Sequence, residues 1–207
     1  MPAESTTQLD AVDHRGDGVR VEFSRIGDRY AHTIYGVRGD SAVPIVSSVE
    51  DADYEGWPLS PPLQELRELT DDAGDRTLLL LGSAAYGHWS ASIRSATFAR
   101  ANPYLEFDVA VRLHRAPAYL GVAYETVAGA NWIDTGDLAF PQRDPHALCI
   151  CAPLSKTDAD STARSERLKA FPDPNTPNRR LYLPTTPMPE RFPNTYRWRY
   201  WIAPALA

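Results

Sequence analysis

From Leu105 onward the apolar residues fall on every second position: Leu105, Phe107, Val109, Val111 and Leu113 alternate with Tyr104, Glu106, Asp108, Ala110, Arg112 and His114. A repeat of two puts one set on each side of an extended strand, whereas a helix would scatter the apolar set around its circumference. Upstream, Trp89, Ala91 and Ile93 alternate with His88, Ser90, Ser92 and Arg94. Between the runs, Arg100-Ala101-Asn102-Pro103 supplies turn residues, and proline cannot donate in a central ladder. The pattern predicts an antiparallel pair. A slip of one residue would turn every side chain to the wrong face, so matching the buried sides gathers the polar sets on the other. A loop centred near Ala99 sets Ser90 across from Asp108 and Ser92 across from Glu106, and the turn type can move this by two residues.

Elsewhere the pattern is shorter but of the same kind. Residues 1–17 are polar, acidic and aperiodic and read as a flexible tail, leaving 18–207 as one β-rich domain. Val19, Val21 and Phe23 form a first alternation, and Tyr30, His32 and Ile34 a second, with Gly27-Asp28 and Gly39-Asp40 as hairpin turns. Val43, Ile45 and Val46 suggest a further strand before the acidic run 50–55. That run lacks the ligand order of a calcium loop and reads as a solvated connector. Pro62 followed by Leu63, Leu66 and Leu69 has the spacing of a short amphipathic helix. Thr77 to Leu81 has no polar face and should lie centrally, covered on both sides. Leu120, Val122 and Tyr124 give another strand, and 147–152 an apolar one. Residues 158–171 form the second helix candidate, and about 171–195 is a proline-rich extended segment that cannot be continuous sheet. In the last run Tyr196, Trp198 and Tyr200 share one side, suited to core packing, and Arg197, Arg199 and Trp201 the other.

The fold class that follows is mainly β: a single antiparallel β-sandwich or barrel-like domain with one or two short helices. Composition agrees. With 207 residues, 43% of them hydrophobic, the chain can bury a core, and its 18 prolines and 12 glycines favour many short strands. A formal net charge of −6 gives no global attraction to nucleic acid or anionic membranes. No basic start followed by an apolar run marks a signal, and no stretch reaches membrane-spanning length. Cys149 and Cys151, one residue apart, would share a strand face too far apart for an easy disulfide, which favours a reducing, cytoplasmic setting.

Candidate chemistry gathers on the polar side of the 88–114 pair. His88, Ser90 and Asp108 are the residue types of a serine-hydrolase triad, although no nucleophile elbow accompanies them. His32, His88, His114 and His146, with Glu106 and Asp108, offer metal ligands without metal-site spacing, so no metal or cofactor is assigned, and His32 is read as a core histidine. Glu106 and Asp108 resemble a glycosidase carboxylate pair, but Arg94 and Arg112 beside them suggest ordinary cross-strand ion pairs. Two Arg-Gly-Asp triplets, 15–17 and 38–40, are read as hairpin turns.

The leading functional expectation is a non-catalytic binding or interaction domain for a small molecule, glycan or protein, using His88, Trp89, Arg94, Glu106, Asp108, Arg112 and Trp132. The alternatives are a hydrolase or metalloenzyme around His88, Ser90 and Asp108, and a structural subunit, a homo-oligomer, that associates through its C-terminal strand.

Overall fold

The computed structural model describes residues 6–50, 57–98, 102–117, 119–127, 133–134, 138–139, 148–151, 171–172, 180–184 and 191–204. Within them the chain is built from strands, in order β1 (Thr7–Val12), β2 (Gly18–Ile26), β3 (Arg29–Arg38), β4 (Ser41–Ser48), β5 (Glu65–Thr70), β6 (Arg76–Ala84), β7 (Gly87–Phe98) and β8 (Asn102–Leu113). There follow β9 (Gly121–Thr126), β10 (Ile133–Asp134), β11 (Leu138–Ala139), β12 (Leu148–Cys151), β13 (Phe171–Pro172), β14 (Arg180–Pro184) and β15 (Asn194–Pro204). Two antiparallel sheets face each other, ordered β1-β2-β3-β4-β9-β14-β13 and β12-β15-β8-β7-β6-β5, with β10 and β11 forming a small separate ribbon. Each large sheet begins as a four-strand meander. The chain then crosses back, so that β9 extends the first sheet beside β4 and β15 extends the second beside β8.

The alternating residues meet between the sheets. Val19, Val21, Phe23 and Ile34 from the first sheet oppose Trp89, Ala91, Ile93, Leu105, Phe107, Val109, Val111 and Leu113 from the second, all buried in one cluster. Each buried valine, leucine, isoleucine or phenylalanine among them contributes on the order of 1.5–3 kcal/mol by leaving water. Tyr200 belongs to this core, and Tyr196 and Trp198 pack against it, as their side of the last strand suggested. Both Arg-Gly-Asp triplets sit at hairpin tips, where Arg38 donates to Asp17 and joins the two turns.

Four expectations are corrected. Residues 7–12, read as part of a flexible tail, form β1, with Leu9 and Ala11 buried. Its contact with β2 is so close that a Cβ on Gly18 would lie 2.0 Å from the Ala11 carbonyl oxygen, and only glycine fits there. The leucine-spaced segment after Pro62 is a strand, not a helix: β5 pairs with β6 from Glu65↔Leu81 to Thr70↔Arg76. A helix this short is marginal alone, and the free edge of β6 offers its backbone a full ladder. Thr77–Leu81 is covered on one side only, because Leu78 and Leu80 point into the core while Leu79 and Leu81 point out. Finally, the β7–β8 register is Ser92↔Asp108 and Arg94↔Glu106, two residues from the drawn pairing, so that paired residue numbers sum to 200 rather than 198. The faces are unchanged by that shift. The helix candidate at 158–170 and the acidic run 51–55 lie outside the described residues, as does most of the proline-rich segment.

Candidate functional site

The register fixes which side chains share the outer face of the six-stranded sheet. Reading from β6 to β15, four rows cross it: Thr77, Arg94, Glu106, Trp201; Leu79, Ser92, Asp108, Arg199; Leu81, Ser90, Ala110, Arg197; and Ser83, His88, Arg112, Thr195. Six of the expected site residues, His88, Ser90, Arg94, Glu106, Asp108 and Arg112, therefore stand on one surface. Trp89 does not: it faces the core beside Trp57, at 5.5 Å between ring centroids. Trp132 lies outside the described residues.

Asp108 is the anchor of this surface. Arg197 donates Nε to Oδ1 at 2.5 Å and Nη2 to Oδ2, and Arg199 donates Nε to Oδ2 at 2.7 Å. Burial pushes the Asp108 carboxyl up, but the Arg197 hydrogen bond and the charges of Arg199 and Arg197 outweigh it and hold it below the ordinary carboxylate range. One row away, Arg94 donates Nε to Glu106 Oε1 at 3.1 Å and Trp201 donates Nε1 to Oε2 at 3.3 Å. The two carboxylates are sunk beneath their partners: the Asp108 and Glu106 side chains are 10% and 8% exposed, those of Arg197 and Arg94 61% and 54%. What the solvent meets is guanidinium. Across the serines of β7, Leu79 and Leu81 are 36% and 53% exposed.

The triad residues share this face without forming a triad. Ser90 lies across from Ala110, both Asp108 oxygens accept from arginine, and the His88 ring stands edge-on to His114 at 5.9 Å. No hydrogen bond joins His88, Ser90 and Asp108 among the described residues.

The other polar cluster is internal. His32 Nε2 and the Tyr124 hydroxyl are 2.7 Å apart, and the Tyr124 and Tyr200 hydroxyls 3.0 Å, a chain that crosses from the first sheet to the second. The His32 backbone N–H donates to Ser48 Oγ at 2.9 Å. Burial alone pulls the His32 imidazole down to about 3, and burial drives both tyrosine hydroxyls upward, so all three groups are neutral at pH 7. This bears out the reading of His32 as a core histidine and separates it from the other candidate metal ligands. His146 lies outside the described residues, and among the described residues no three His, Cys, Asp or Glu side chains are grouped to hold a metal.

Sequence reasoning missed Arg197, Arg199, Leu79 and Leu81 as members of the site. Alternation in the last strand did point the arginines outward. Nothing local said that this strand pairs with β8 across 81 to 97 residues, since Asn194↔Leu113 and Ile202↔Leu105 bound the ladder. That strand is also less of an edge than expected: β8 pairs with it on one side and β12 covers Trp201–Pro204 on the other. Among the described residues no helix is long and apolar enough to cross a membrane. Comparison with protein-family models, with curated proteins and with solved structures found no match to this chain.

Proposed function

We propose that this protein is a non-catalytic binding module that receives a protein partner on the outer face of its six-stranded sheet. The observation that carries the reading is the presence, on that one face, of guanidiniums raised over sunken carboxylates together with two exposed leucines on β6. Arginine beside apolar side chains is the composition favoured at protein interfaces. Each carboxylate holds its arginine in place before any partner arrives, which lowers the entropy lost on docking. An open sheet face also suits a macromolecule better than a small molecule, which binds where it is enclosed on most sides. Against catalysis stands Asp108, whose oxygens are occupied by two arginines and are not free to orient His88.

The test is affinity capture from the native cell extract on immobilised wild-type protein and on two variants, Leu79→Ser with Leu81→Ser, and Arg197→Gln. A discrete protein retained by the wild type and lost from both folded variants is the expected result. Equal retention by all three would overturn the reading, and a hydrolytic activity abolished by Ser90→Ala would overturn its non-catalytic part.

A further inference from the structure

We propose that the segment received on this face is an amphipathic helix, apolar along one side and acidic along the adjoining side, lying parallel to β7. This rests on the docking reading above and adds the chemistry of the partner.

The basis is the order of side chains across the two central rows, Leu79, Ser92, Asp108, Arg199 and Leu81, Ser90, Ala110, Arg197. Ser90, Ser92 and Ala110 are short, and they lie between a leucine wall on β6 and an arginine wall made where the Arg197 and Arg199 guanidiniums reach from β15 to Asp108 on β8. The middle of the face is thus a shallow trough. Two interstrand spacings divide β6 from β8, where those guanidiniums end, about 10 Å, and an α-helix with its side chains is about 10–12 Å across. A single extended strand, at about 5 Å per strand, would touch one wall and miss the other. From Arg94 to His88 the trough runs about 20 Å along β7, the length of about 13 helical residues.

Charge selects the sign of the partner. Arg94, Arg112, Arg197 and Arg199 stand on this face over two sunken carboxylates, a local reversal on a chain of formal net charge −6. Arg197 gives Asp108 its Nε and Nη2, and Arg199 gives it Nε alone. The remaining guanidinium N–H groups have no protein acceptor among the described residues and can bind a carboxylate bidentately. A second copy of this chain meeting face to face would bring guanidinium against guanidinium. A polyanionic glycan would leave Leu79 and Leu81 in water. An acidic amphipathic helix satisfies both walls, the arrangement of a helix docked in a groove.

Three fluorescent helix-forming peptides of about 14 residues test this by anisotropy on the whole chain: a leucine stripe flanked by glutamate, the same stripe flanked by lysine, and the glutamate peptide with serine in place of leucine. A sulfated oligosaccharide is the fourth probe. The glutamate–leucine peptide should bind, weaken as salt rises, and exceed each of the other probes by about tenfold or more. Leu81→Ser and Arg197→Gln should each weaken it by about tenfold, and the exposure of Leu81 makes Leu81→Ser the variant expected to keep the fold, checked by its urea unfolding. Equal binding of the lysine peptide, of the serine peptide or of the oligosaccharide would overturn the proposal, as would indifference to either variant. If no peptide binds while the same variants still abolish partner capture, the helix falls and the docking face stands; if capture is also indifferent, both fall.

Discussion

Two polar clusters lie back to back across β15, the inner one reaching it through Tyr200 and the outer one through Arg197 and Arg199. On β8 and β15, Phe107 and Tyr200 point inward, stacked at 4.8 Å beside the His32–Tyr124 pair, while their sequence neighbours Asp108 and Arg199 point outward to the ion-pair lattice. One residue of offset separates a network of three neutral groups from one built on ion pairs. The inner cluster is neutral because burial strongly penalises a charge without a partner. The outer one is charged because water reaches its cations and each carboxylate has an arginine at hand. Stability should therefore depend on the inner cluster, and recognition on the outer.

The largest blow to that division would fall on the inner side. Phe107→Ala removes the ring stacked on Tyr200 and packed 5.6 Å from the His32 ring centroid, and should cost about 3–5 kcal/mol in urea unfolding. A loss below about 1 kcal/mol would mean the core relaxes around the gap, contrary to its close packing.

Acid gives the next effect. The folded His32 pKa, about 3, lies below the value near 6.5 of the unfolded chain, so the unfolded state takes up the proton first as pH falls. Stability from this group is fully present above pH 6.5 and is lost progressively toward pH 3, at up to about 1.4 kcal/mol per pH unit. Between pH 6.5 and 5, above the range where carboxylates titrate, the decline should reach about 2 kcal/mol. In His32→Gln the same interval should be nearly flat; an unchanged slope there would show that another group carries the acid sensitivity.

The smallest effect belongs to the outer cluster. Asp108→Asn releases two arginines into solvent and should change unfolding free energy by less than about 1 kcal/mol, the scale of surface ion pairs. A loss of several kcal/mol would give the lattice the structural weight that burial assigns to the inner cluster, and would blur the division.

The sequence carried the faces of this molecule more clearly than its pairings. Alternation is local, so Trp89 to Val111 could be sorted into buried and exposed sets from the strand period alone. Register depends on how the chain connects the two strands, which the residue types between them do not dictate. Leu63, Leu66 and Leu69 satisfy a helical spacing that a free strand edge overrides. Leu9 and Ala11, small or flanked by polar residues, are too faint a pattern to announce a strand until Gly18 on β2 is seen to make room for it. The long-range links of both polar clusters escaped for the same reason: His32 and Tyr124 are 92 residues apart, and Asp108 and Arg197 89. No local pattern can state a contact of that separation.

The late arrival of β15 also sets an order in time. Until residues 194–202 reach β8, that strand presents an unpaired edge, and Phe107 lacks the tyrosine that stacks on it. Closing a loop of this length must come before any of the contacts that reward it, which places the chain among slow-folding, non-local topologies, on the scale of about milliseconds to seconds. During that interval the half-built sheet is most exposed to pairing with a neighbour, so the strand that completes the sandwich also ends its period of greatest risk for aggregation.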